Sequence, residues 1–206
     1  MEKLLKQVEE LKRGDVRKLV GSRMKEFGAK RSDDELFSEM CFCILTANYN
    51  AEGGLRIQKE MEGEFCTLSQ RQLAKRLKGL GHRFPNARAK YIAESQRHVE
   101  SLGKLLKSFA NEAEAREWMA ENVKGLGYKE ASHFLRNVGF KDLAIIDFHI
   151  IDLLVRHGII DEPKTLTKAK YLEIEGVLRT IGKELGLSLA ELDMYLWYLE
   201  TGSILK

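Results

Sequence analysis

The chain has 206 residues, enough to bury a substantial core as one domain or two small lobes. Its 34 basic and 31 acidic residues leave a formal net charge of +3, so bulk charge alone gives no case for nucleic-acid binding and the distribution of charge must carry it. No secretory leader opens the sequence and no apolar run approaches the ~20 residues of a membrane span, so a membrane-free, cytoplasmic protein is expected.

Only two prolines, with frequent Leu, Ala, Glu and Lys, predict an all-α fold. Residues 2–27 read as two charged amphipathic helices broken near Arg13-Gly14-Asp15. Ser32 and Glu35 have capping-box spacing, and the helix they open carries Leu36, Phe37, Met40, Phe42, Ile44 and Leu45, a density that implies burial on most sides. Cys41, Cys43 and Cys66 read as buried thiols of a reducing compartment. Three cysteines cannot supply the four thiolates of a usual iron–sulfur cluster. Thr46-Ala-Asn-Tyr-Asn leads to a helix through Arg56 and Met61, and Ser69 with Gln72 caps a short helix to Lys78.

Lys78-Gly-Leu-Gly81 follows, the first of two copies of one tetrapeptide, and it predicts a helix–turn–helix. Around it, residues 75–90 hold six lysines and arginines with His82 and no acidic residue. A charge run is often only a solvated face. Here it surrounds Phe84-Pro85, and a basic loop with an apolar tip suits gripping a backbone and wedging into a base stack. Arg83, Phe84 and Arg88 are the residues expected to do so. Residues 86–107 predict one long helix.

The second copy, Lys124-Gly-Leu-Gly127, stands between a helix capped by Asn111 and a helix from Tyr128 to Val138 closed by Gly139. Glycine permits positive φ, and the open N–H groups of a helix start favour an anion, so Lys124, Gly125 and Gly127 are candidate phosphate contacts. Lys129 falls in the first turn, with His133 four residues on along the same face, read as a packing residue. Asp147 ends the apolar run Leu143–Ile146 and precedes a helix to His157, which Gly158 terminates; Asp147 is its expected N-cap. A helix through Tyr171, Ile174, Leu178 and Ile181 follows the connection Asp161-Glu-Pro163. Ser188 and Glu191 then cap a last helix whose core stripe is Leu189, Leu192, Leu196 and Leu199, with Trp197 off the stripe.

Three segments carry a family resemblance: Cys41-Phe-Cys-Ile-Leu-Thr-Ala-Asn48, residues 124–147, and Asp193-Met-Tyr-Leu-Trp-Tyr198 with Lys206. Together they resemble the helix–hairpin–helix DNA glycosylases of the endonuclease III fold, most closely the small second class of 8-oxoguanine DNA glycosylase/AP lyases. The resemblance implies a single unit spanning 1–206, built of two helical lobes, with the hairpin at 124–127 and the active site in the cleft between lobes. It implies Lys129 as the nucleophile at C1′, forming a Schiff base that permits β-elimination. Asp147 is implied as the carboxylate that supports positive charge on the sugar. Trp197 is implied as a stacking plane for the base, with Lys206 making polar contacts; the terminal carboxylate would accept the N7 proton that distinguishes 8-oxoguanine from guanine. Duplex DNA bearing 8-oxoguanine is the implied partner, and a monomer is expected. No cofactor, iron–sulfur cluster or metal-ligand cluster is expected beyond a monovalent cation at the hairpin carbonyls. Phe148 stands where a basic residue is expected after the aspartate. Two other readings stay open: an enzyme of the same fold acting on another damaged base, and a non-catalytic DNA-binding module. Phosphate binding needs neither Lys129 nor Asp147, which weighs against the module.

Overall fold

The computed structural model describes residues 1–206. Every regular element is helical: α1 Glu2–Arg13, α2 Val16–Phe27, α3 Asp33–Thr46, α4 Ala51–Glu60, α5 Gln70–Gly79, α6 Pro85–Ser95, a 3₁₀ helix Gln96–Ser101, α7 Leu102–Ser108, α8 Glu112–Asn122, α9 Tyr128–Asn137, α10 Phe148–Arg156, α11 Lys168–Leu185 and α12 Leu189–Thr201. No helix is long and apolar enough to cross a membrane. Two compact units emerge, one of residues 1–29 and 139–204 with Lys206, the other of residues 30–138 with Leu205.

The 30–138 unit is built around α3. From Leu36 to Thr46 only Ser38 escapes full burial, as the dense apolar composition favours, and Glu39 and Thr46 are buried with it. Helices α4, α6, α7 and α9 and the 3₁₀ helix all lie against α3. Its start is fixed by the expected capping box, with Ser32 Oγ accepting from Glu35 N–H and Glu35 accepting from Ser32 N–H. Cys41 and Cys43 lie wholly inside, and burial raises the Cys41 thiol pKa well above its ordinary value. Cys66 is half-buried, and burial, then the neighbouring Asp34 carboxylate, push it up to about 11.

The long helix expected over 86–107 is not continuous. It divides into α6, the 3₁₀ helix and α7. Tertiary bonds hold the interruption open. The Gln96 side-chain amide donates to the carbonyls of Phe65 and Leu68 at 2.8 and 2.9 Å, and Gly103 N–H donates to Asp33 Oδ1 at 2.7 Å.

In the other unit α12 packs on α2, α10 and α11. Leu192 and Leu196 are buried as the stripe predicts, joined by Ile150, Leu154, Ile174 and Leu178. Long-range bonds tie α1 in: Lys12 Nζ donates to the Leu185 carbonyl at 2.6 Å, and His157 Nε2 pairs with Gln7 Oε1 at 2.9 Å.

Candidate active site

The hairpin at 124–127 joins α8 to α9 with a tight turn. Gly125 adopts φ +90°, and a Cβ there would stand 2.7 Å from the Tyr91 ring, so glycine is required on both counts. Leu126 is buried and its N–H closes the turn on Val123 O at 3.1 Å. The turn is not an open anion cradle. Gly127 N–H donates to Glu130 Oε2 at 3.2 Å, and Lys124 Nζ pairs with Glu94 at 3.1 Å. Two of the three residues expected to meet a phosphate, Lys124 and Gly127, thus already hold a carboxylate. Such exposed pairs contribute little stability, so exchanging them for phosphate costs little.

Lys129 is the second residue of α9 and half-buried. The helix beneath it is held on several sides. Tyr128 donates to Glu117, the buried Arg116 guanidinium lies 4.8 Å from the Tyr128 ring, and Asn137 donates to Glu39 at 3.3 Å. His133 is buried, edge-on to Phe42 at 5.6 Å. The amine of Lys129 therefore projects from a rigid support.

Asp147 is the N-cap of α10, its Oδ1 accepting from Ile150 N–H at 3.1 Å. The extended run before it, Leu143–Ile146, is buried and cannot use ladder hydrogen bonds. Instead α11 satisfies it. Tyr171 Oη donates to Ala144 O at 2.7 Å and accepts from Ile146 N–H at 3.2 Å, while Glu175 accepts from Ala144 N–H at 2.9 Å. Arg179 pairs with Asp142, and Ala190 N–H donates to Lys141 O at 3.0 Å. Downstream, the rings of Phe148 and His149 lie 3.9 Å apart, and His149 stands edge-on to Trp197 at 5.2 Å. Trp197 and Lys206 are both half-buried.

The basic loop is not uniformly a solvated face. Arg83 is exposed, with its guanidinium 5.0 Å from the Phe84 ring, and Phe84 is exposed at the tip. Arg88 departs from the expected phosphate contact. It is buried, donates to the Ala47 carbonyl, and lies 5.9 and 5.7 Å from the rings of Phe84 and Tyr91. Burial lowers its pKa. Arg76 is also engaged, on Glu64 at 2.7 Å. His82 is no cation of the run either. Phe84 N–H donates to its Nδ1 at 3.0 Å and its Nε2 meets the Leu45 carbonyl at 3.0 Å, which selects the neutral Nε2–H tautomer. Burial lowers its pKa accordingly.

The two Lys-Gly-Leu-Gly copies fold differently. In the first, Gly79 is helical and Gly81 takes φ +79°. The carbonyls of Leu80 and Gly81 accept from Arg56 at 2.9 Å and Tyr49 at 3.4 Å, so that turn is bound to its own unit.

A family model described as 8-oxoguanine DNA glycosylase matches residues 20–187. The chain belongs to that glycosylase family. It is 52% identical over 204 residues to the 8-oxoguanine DNA glycosylase/AP lyase of Korarchaeum cryptofilum, covering 98% of each chain. It superposes with TM-score 0.96 on the Methanocaldococcus jannaschii 8-oxoguanine glycosylase/lyase solved with a 15mer DNA containing 8-oxoguanine, at 52% identity over 98% of this chain and 99% of that one. Endonuclease III solved with DNA matches with TM-score 0.57 at 16% identity over 89% and 84% of the chains, a likeness of fold alone.

For a glycosylase of this family, two sets of supporting residues escape a reading of the sequence. Tyr171 and Glu175 lash the segment that carries Asp147, and His82 clamps the Phe84 tip. By spacing alone Tyr171 is only a core position. Its hydroxyl, opposite a buried run rich in unpaired peptide groups, is the available signal.

Proposed function

We propose that the chain excises 8-oxoguanine from duplex DNA and cleaves the resulting abasic site by β-elimination, with Lys129 as the nucleophile. What carries the reading is Lys129 in the first turn of the hairpin helix, on a support fixed by Tyr128, Arg116 and Asn137. The lesion nucleotide must leave the stack before its C1′ can be reached, and Phe84, at the tip held by His82, props the duplex open. The unprotonated amine attacks C1′, and the base departs with the bonding electrons and takes up a proton. The sugar opens to a Schiff base. Loss of a C2′ proton then expels the 3′ phosphate. The Asp147 carboxylate stabilises positive charge building at the sugar, as carboxylates do in glycoside hydrolysis. Trp197 provides a stacking face for the base, and Lys206 supplies polar contacts to it. This chemistry runs through side chains and requires no cofactor; a monovalent cation on the hairpin carbonyls would assist phosphate docking only. The protein acts as a monomer, inside the cell, on DNA.

A borohydride trap tests the reading. Duplexes carrying 8-oxoguanine should yield a covalent protein–DNA adduct, while duplexes with undamaged guanine should not. Trapping on another lesion, with none on 8-oxoguanine, would move the chain to a different substrate. The absence of any adduct, together with no base released, would leave a binding module.

Arg83 and Arg88 separate by role. Arg83→Ala should weaken duplex affinity and reduce the slope of log K against log salt by about one unit, the signature of one fewer phosphate neutralised. Arg88→Ala should instead cost stability, on the order of 1–3 kcal/mol, because the Ala47 carbonyl loses its buried donor. Salt titrations and thermal melts of the two variants distinguish these outcomes; a flattened slope in Arg88→Ala with an unchanged melt would return Arg88 to the DNA surface.

A further inference from the structure

Two large aromatic side chains are exposed, Phe84 at 38% and Phe148 at 65%. The first already has a place at the DNA-facing loop. Phe148 contributes little to any core, yet it immediately follows Asp147 and opens α10. Its ring lies 3.9 Å from His149 at a tilt of 37°, and His149 stands at 89° to Trp197. Phe148, His149 and Trp197 thus form a series of ring contacts within one unit. No lysine or arginine occupies the first turn of α10. The charged residues nearest along the chain are carboxylates, Asp147 before the ring and the exposed Asp152 one helical turn after it. This turn therefore offers a phosphate neither lysine nor arginine. What such a surface accepts is an uncharged, flat or apolar group.

Resting on the glycosylase reading, we infer that Phe148 is a DNA-contacting residue that stacks on a nucleoside of the lesion strand beside the flipped nucleotide. The chemistry fits because every base and the deoxyribose present an apolar face, and stacking on an aromatic ring is tolerant of sequence. A neutral ring beside Asp147 also leaves the carboxylate's charge undivided for the sugar, where a cation at this position would compensate part of it. The stacking therefore adds affinity without adding to the salt dependence.

The test is binding of the full chain to a duplex bearing a tetrahydrofuran abasic analogue, over a series of salt concentrations. Phe148→Ala should bind about tenfold more weakly, as expected when a base is deprived of its aromatic stacking partner, with the salt slope unchanged. Phe148→Trp should restore affinity. Phe148→Lys should steepen the slope by about one unit, because it trades stacking for a phosphate contact. All three should melt with the wild type, since the ring is exposed. Wild-type affinity in Phe148→Ala, with 8-oxoguanine release by the wild type intact, overturns this inference alone. Weaker binding by Phe148→Ala that comes with a lowered melt, or with a flattened salt slope, also overturns it. A wild-type protein that neither binds the duplex nor releases 8-oxoguanine overturns the glycosylase reading, and this inference with it.

Discussion

Lys129→Gln should lose base release and the borohydride adduct together, each by a thousandfold or more on the order expected when a nucleophile is deleted. Glutamine keeps the polarity of the side chain and much of its length but has no basic lone pair. The helix that carries it should be undisturbed, because Tyr128, Arg116, Ser132 and Asn137 hold α9 independently of residue 129. Duplex affinity and melting temperature should therefore stay near those of the wild type. Single-turnover release of 8-oxoguanine and trapping on a pre-formed abasic site are the measurements. A variant that still forms the adduct would place the Schiff base on another lysine.

Asp147→Asn should lower turnover by roughly a hundredfold to a thousandfold, the range seen when one electrostatic stabiliser of a transition state is removed. This substitution isolates charge. Asparagine caps helices about as well as aspartate, so its side-chain oxygen can go on accepting from Ile150 N–H. Asp147→Ala adds a second loss, about 1 kcal/mol of stability from the missing cap. If the asparagine variant turns over at the wild-type rate while the alanine variant is both slower and less stable, Asp147 is a structural cap and the charge has no part in catalysis.

How far the sequence can be read depends on where each determinant lies. The starts of α3, α5, α8, α10 and α12 are legible because their caps are local: Ser32, Ser69, Asn111, Asp147 and Ser188 each sit three residues before the N–H or side chain they serve. The hairpin and the placement of Lys129 in the first turn are legible for the same reason. The division of 86–107 is not, since Gln96 finds its carbonyl partners about thirty residues upstream and Gly103 finds Asp33 seventy residues away. Arg88 reads like one more cation in a basic run. Its partner, the Ala47 carbonyl, is 41 residues distant, and no local pattern announces it. The two identical tetrapeptides show the same limit. Tyr91 packs on Gly125 in one, while Arg56 and Tyr49 grip carbonyls of the other, and those neighbours choose different backbone conformations.

8-Oxoguanine is an oxidation product, so a protein that removes it works where oxidants reach DNA. Oxidants attack cysteine as the thiolate. Cys41 and Cys43 are sealed in α3, where burial raises the Cys41 thiol pKa well above its ordinary value, and burial with the Asp34 carboxylate pushes Cys66 up to about 11, so both shifts disfavour the thiolate. The same interior that positions α9 therefore makes its thiols poor targets for the agents that create 8-oxoguanine.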